Sequence, residues 1–234
     1  MKFIDNSSDL SKYLEIHITP NIAIKSISTD TRSLKKGSMF IALKGKNFDG
    51  NDYVEDAINK GAVIVLTDHK GYQNKKNKKI IYVKNTIHSL KKISTNIIKN
   101  YQGNVIAITG SNGKTTTTDI ISKTLKNNSK THKNFNNEIG VPLSIMNASP
   151  KSQNLILEIG ASKTKDIDYL SKILRPYIGV ITNIGHSHLE KLVNIDGVLK
   201  VKSEIVKNIK KNGYLIVPND NKQHLAKWRK LRHD

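Results

Sequence analysis

Residues 105–118, VIAITGSNGKTTTT, decide how this chain is read. Four residues of buried-strand character, Val105 to Ile108, run into the turn Gly110-Ser111-Asn112-Gly113 and then into Lys114, Thr115 and a helical pattern. Glycines let a backbone come close enough to an anion for its N–H groups to face the oxygens. The helix after the turn adds the partial positive charge of its N-terminus. Lys114 can reach a β- or γ-phosphate, and the Thr115 hydroxyl can ligate Mg²⁺. The spacing is G-x-x-G-K-T, with Ile108 standing where the longer pattern G-x-x-x-x-G-K-[ST] has its first glycine. Placed between a strand and a helix, Gly110, Ser111, Asn112, Gly113, Lys114, Thr115 and Thr116 form a candidate nucleotide-phosphate loop.

Downstream, apolar runs and helical periodicity alternate. Residues 155–159 are a second buried strand ending at Glu158-Ile159-Gly160-Ala161. Residues 164–174 are a helix with Ile167, Leu170, Ile173 and Leu174 on one side and Pro176 beyond its end. Residues 178–184 are a third strand, 196–210 a helix capped by Asp196, and 214–217 a fourth strand. Such alternation implies a parallel sheet wound by right-handed crossovers, with ligands bound at the carboxyl ends of the strands. Those ends offer the phosphate loop, then Glu158, then the loop Gly185-His186-Ser187-His188-Leu189-Glu190. A carboxylate beside a phosphate loop suits Mg²⁺, a hard cation that takes oxygen donors and bridges phosphates. His186 and His188 share that edge. On the 196–210 helix, Val198, Val201, Ile205 and Ile209 define the buried stripe; Lys202 falls within it and Lys200 opposite. Lys202 either snorkels to water or is held inward, where desolvation frees the neutral amine for chemistry such as carbamate formation with CO₂.

Upstream, residues 1–84 read as a small mixed domain and residues 85–234 as the domain carrying the loop. Strands are expected at 39–43, 62–67 and 79–83, with a helix over 52–60 closed by Gly61. The segments Ser28-Thr29-Asp30-Thr31-Arg32 and residues 42–50 read by themselves as turns. From 86 to 101, apolar residues at 87, 90, 93, 97, 98 and 101 fall on one helical stripe, which we expect to pack against the downstream domain and to bridge the two. The fold class is thus α/β: a small mixed N-terminal domain, then an incomplete P-loop-type parallel sheet with helices on both faces.

A net charge of +20 invites a nucleic-acid reading, but only Arg32, Arg175, Arg229 and Arg232 are arginines. The densest basic run, QNKKNKK at 73–79, has no interleaved aromatics, so it reads as a solvated loop and no nucleic-acid partner is expected. No apolar run is long enough for a signal peptide or a membrane span, and there is no cysteine for a disulfide framework, which suits the cytoplasm.

Six segments carry a family resemblance: STDTR (28–32), FIALKGKNFDG (40–50), NFNNEIGVPLS (134–144), LEIGAS (157–162), RPYIGVITNIGHSHLE (175–190) and VKSEI (201–205). With the shortened loop they resemble the Mur ligases, ATP-dependent amide-forming enzymes of peptidoglycan precursor synthesis. Gly160-Ala161 is similar to the branch that joins D-alanyl-D-alanine to UDP-N-acetylmuramoyl-tripeptide. The resemblance implies that Lys114 binds ATP phosphates, that Thr115 and Glu158 hold one Mg²⁺, and that His188 serves a second metal site. It implies that Lys202 carries a carbamate as an anionic metal ligand and that Asn137 lies near the phosphates and the acyl phosphate. The N-terminal domain would bind the UDP part of the substrate, with Thr31 and Arg32 as candidates. His186-Ser187 departs from the Pro-Ala of many relatives, which leaves His186 and His188 as alternatives. The family's C-terminal domain, which closes over the site, is not found before Asp234. We therefore expect weak or no turnover from this chain alone, the remaining part being encoded separately in one reading. Two other readings are a non-catalytic nucleotide- or UDP-sugar-binding module and another branch of the family.

Overall fold

The computed structural model describes residues 1–45, 47–74, 77–132, 134–185 and 194–232. The chain divides into two compact units, Met1–Ile97 and Ile98–Asp234. The division lies later than residue 84, inside the long helix that spans Thr86–Asn100.

The first unit is built on four parallel strands in the order β1-β2-β3-β4: β1 (Ser26–Ser28), β2 (Ser38–Ile41), β3 (Ile64–Thr67) and β4 (Ile80–Tyr82). Every residue of β2 and β3 is buried, as expected of apolar runs covered on both faces. Helix α2 (Val54–Asn59) is joined to β2 through a 3₁₀ turn at Gly50–Tyr53 and packs Val54 and Ala57 against Phe40, Ala42, Ala62 and Val65. Helix α1 (Ser7–Leu14), not foreseen from the sequence, starts with a reciprocal cap. The Asn6 side chain accepts the Asp9 N–H at 3.0 Å, and the Asp9 carboxylate accepts the Asn6 N–H at 3.2 Å. Helix α3 (Thr86–Asn100) belongs to this unit as far as Ile97, rather than to the downstream unit. Asn96 Nδ2 donates to the Tyr13 carbonyl at 2.9 Å and Lys92 pairs with Glu15 at 2.8 Å, which ties the helix back to the end of α1.

The second unit is a five-stranded parallel sheet in the order β6-β7-β5-β8-β9. Its strands are β5 (Asn104–Thr109), β6 (Asn128–Lys130), β7 (Asn154–Glu158), β8 (Ile178–Ile181) and β9 (Tyr214–Ile216). Helices α4 (Lys114–Thr124), α5 (Gly140–Asn147), α6 (Asp166–Leu174), α7 (Ile195–Lys202) and α8 (Lys222–Leu231) connect or succeed them. Ile106, Ile108, Ile156 and Val180 form a buried cluster on the sheet, with Ile121 and Leu125 of the α4 segment against it. After β5 the chain moves to one side for β6 and β7, then crosses to the other for β8. The switch puts a crevice at the carboxyl end of the central strand.

The helix expected over 196–210 is not continuous. It is α-helical to Lys202 and tightens to a 3₁₀ turn over Ser203–Asn208. Side chains of the tight turn are drawn onto α6: Glu204 accepts the N–H groups of Lys165 and Asp168, and Asn208 Nδ2 donates to Ser171 Oγ at 2.8 Å and to Asp168 Oδ1 at 3.1 Å. The stripe itself is as expected, with Val198, Val201, Ile205 and Ile209 buried and Lys200 exposed. Among the described residues no helix is long and apolar enough to cross a membrane.

Candidate functional site

The central strand ends at Thr109 and the loop turns at once. Gly110 has φ of 147°, and a Cβ there would lie 1.9 Å from Thr182 Oγ1, so no other residue fits this corner. Gly113, at φ 78°, enters α4 without a capping side chain, which leaves the first N–H groups of that helix to an anion. The loop is fastened to the residues after β8. The Thr182 hydroxyl donates to the Asn112 carbonyl at 2.5 Å, the Asn112 N–H to Asn183 Oδ1 at 2.9 Å, and the Ser111 N–H to the Asn183 carbonyl at 3.2 Å. Ser111 Oγ both donates to the Gly185 carbonyl and accepts its N–H. Lys114 curls over the loop and donates from Nζ to the carbonyls of Gly110 at 2.9 Å and Ser111 at 3.2 Å.

The strand-end carboxylate meets this loop. Glu158, 3% exposed, accepts the Thr115 hydroxyl on Oε2 at 2.7 Å. Oε1 accepts Asn136 Nδ2 at 2.7 Å, and the Glu158 N–H donates to Thr131 Oγ1 at 2.8 Å. A buried carboxylate and a hydroxyl brought together at a phosphate loop are the hard oxygen donors that Mg²⁺ takes, so these residues fit that cation. Thr116 is exposed in the first turn of α4.

Lys202 is turned inward, 1% exposed. Burial lowers it from 10.5 to about 8, the charge of Lys114 acts in the same direction, and Asp166 and Glu204 act in the opposite sense. The two lysines therefore share one electrostatic neighbourhood. Asp166 opens α6, its Oδ2 accepting the N–H groups of Ser162 and Lys163.

Asn137 is exposed, and its Oδ1 accepts the N–H groups of Ile139 at 3.1 Å and Gly140 at 2.8 Å at the start of α5. Its neighbour Asn136 is the residue that touches Glu158. Sequence reasoning missed Asn136, Thr131, Thr182, Asn183 and Glu204. Two of these lay within reach of notice: Asn136 adjoins the residue chosen, and Glu204 is two positions beyond Lys202. His186 and His188 lie outside the described residues.

In the first unit a cleft of about 440 Å³ is lined by the 29–32 turn, Phe40, Phe48, Gly50 and Tyr53. Thr31 is buried in it. The Arg32 guanidinium is exposed and closes on Asp30 at 2.6 Å, which lowers the Asp30 carboxyl to about 2.

A Gly-Lys-Thr loop at the carboxyl end of a central parallel strand, with a strand-end acid on its threonine, gives the second unit the form of an α/β domain with a candidate phosphate loop. Residues 108–233 match the Mur ligase middle domain, and residues 23–100 match the catalytic domain of the Mur ligase family. The chain belongs to the Mur ligase family. It is 42% identical over 223 residues to the UDP-N-acetylmuramoyl-tripeptide–D-alanyl-D-alanine ligase of Buchnera aphidicola subsp. Baizongia pistaciae, covering 94% of this chain and 47% of that one. It is 38% identical over 200 residues to the enzyme of the same name in Bacillus subtilis, covering 84% and 44%. Among solved structures it resembles MurF from Acinetobacter baumannii with a TM-score of 0.83 at 30% identity, covering 96% of this chain and 50% of that one. It resembles the MurF ligase from Thermotoga maritima, solved with ADP, with a TM-score of 0.78 at 32% identity, covering 88% and 48%. The chain spans about half the length of the curated relatives it matches. A separately encoded C-terminal part finds no support in these comparisons.

Proposed function

We propose that this chain forms the nucleotide- and UDP-substrate-binding part of a cytoplasmic ATP-dependent ligase that joins D-alanyl-D-alanine to UDP-N-acetylmuramoyl-tripeptide. The observation that carries it is the 2.7 Å contact between Thr115 and Glu158 at the mouth of the loop. Identity of 42% to a ligase of that name supplies the substrate class.

A carboxylate and an amine do not condense in water at neutral pH, so the acid must first be activated. The γ-phosphoryl group of ATP passes to a terminal carboxylate oxygen and ADP leaves. The amine then attacks the acyl phosphate, loses a proton and expels inorganic phosphate. The loop's part is to hold the nucleotide in line: the Gly113–Thr115 N–H groups cradle phosphate oxygens, and Lys114 leaves the Gly110 and Ser111 carbonyls for the β/γ-phosphates. Thr115 and Glu158 would hold a Mg²⁺ ion, which would offset phosphate charge when bound. A second cation, if bound, would take His188 and Lys202 as ligands. For Lys202 to serve as an anionic ligand, its neutral amine adds to CO₂ and releases a proton, giving the carbamate; burial favours that neutral amine. In the first unit, the cleft walled by Thr31, Arg32, Phe48 and Tyr53 takes the UDP group.

Titrating the chain with ADP and Mg²⁺ tests the reading. We expect saturable binding that Lys114→Ala abolishes; binding unaffected by that change would sink the loop assignment. A ¹³CO₂-derived carbonyl resonance lost in Lys202→Met checks the carbamate.

A further inference from the structure

We infer that Asn136 is a positioning residue for Glu158 and, through it, for the cation at Thr115, an inference that rests on the nucleotide reading above. Asn136 is fastened to the end of β7 at two points. Its carboxamide Nδ2 donates to Glu158 Oε1 at 2.7 Å, and its main-chain carbonyl accepts the Gly160 N–H at 2.7 Å. Gly160 leaves the room for this, since a Cβ there would lie 3.0 Å from Asn136 Oδ1 and 3.1 Å from its Cγ.

The consequence lies in how the two carboxylate oxygens are shared. An –NH₂ group only donates, so the Oε1 edge is committed to Asn136 and no cation can be ligated by the donor itself. Oε2 is the oxygen that faces Thr115. The carboxylate is thereby held in one orientation before any ligand arrives, and the ordering that a cation site requires is already present in the fold. Asn137, the next residue, makes a different contact: its carboxamide oxygen accepts the N–H groups of Ile139 and Gly140. A residue that merely held the 134–140 loop in place would support ADP binding equally with and without metal. A residue that orients Glu158 acts on the metal-dependent part alone.

The experiment measures ADP affinity by titration calorimetry in Mg²⁺ and in EDTA for the wild-type chain, Asn136→Ala and Gly160→Ala, with manganese binding to the ADP complex tracked by electron paramagnetic resonance. We expect Asn136→Ala to lose roughly tenfold of the Mg²⁺-dependent gain in affinity, with the EDTA affinity unchanged, and the manganese affinity to fall in parallel. Gly160→Ala, which pushes the carboxamide off Glu158, reproduces the same pattern and carries the test should Asn136→Ala fail to fold. A full Mg²⁺-dependent gain in the folded variants overturns the inference, as does an equal loss in both conditions. Absence of any Mg²⁺-dependent gain in the wild-type chain overturns the nucleotide reading and this inference with it.

Discussion

Glu204 caps helix α6 from a different element: Oε1 accepts the Lys165 N–H at 2.8 Å and Oε2 accepts the Asp168 N–H at 3.0 Å. A helix begins with donors that its own carbonyls cannot satisfy, and charge-assisted acceptors are the strong solution. The same clamp fixes the 3₁₀ turn after Lys202. Glu204→Ala is expected to destabilise the chain by about 1–2 kcal/mol, the usual cost of losing a cap. Glu204→Gln, which keeps one acceptor, should cost less. Urea unfolding midpoints check both; an unchanged midpoint for Glu204→Ala would mean that the cap contributes nothing.

Gly110→Ala should abolish ADP binding. The new methyl group would meet Thr182 Oγ1 at 1.9 Å while φ stays at 147°, so the corner must open and carry the loop amides with it. Backbone strain of this kind costs on the order of 1–3 kcal/mol, so the melting temperature should fall as well. Calorimetric titration beside a thermal melt separates loss of the site from loss of the fold.

Tyr101 gives the alkaline limit of stability a specific contributor. Burial raises its hydroxyl from 10.0 to about 12, and the neutral group donates to the Ser152 carbonyl at 2.8 Å. Between pH 10 and 12 the unfolded chain releases this proton and the folded chain keeps it. The contribution is therefore complete below pH 10 and is lost as the pH rises toward 12. Tyr101→Phe is expected to cost roughly 1 kcal/mol at pH 7. The gap between the two proteins should close at alkaline pH in denaturant series run at pH 7, 9 and 11.

In the first unit, the Asp30 carboxyl should titrate near 2, because Arg32 donates to both of its oxygens. Arg32→Ala returns it toward 3.8, as read from carboxyl NMR shifts. A UDP group that draws Arg32 away should move the carboxyl in the same direction.

The phosphate loop, Glu158 and the buried Lys202 were legible because each rests on a local pattern: glycine spacing, a strand's last residue, and a position on a helical stripe. What escaped depends on distance along the chain. Asn136 and Asn137 are equivalent in a polar loop until the end of β7 chooses one of them through Gly160 and Glu158. The break after Lys202 was invisible to periodicity, since its cause is Glu204 and Asn208 reaching α6. Strand β6, Asn-Ser-Lys, has no apolar signal and exists by pairing with β7.

Trp228 is the chain's one indole, and its buried Nε1 donates at 2.9 Å to the hydroxyl of Ser203, the residue next to Lys202. The protein therefore comes with its own fluorophore wired beside the lysine. Emission excited at the tryptophan band should register a change of charge there, a carbamate included, without any dye or label.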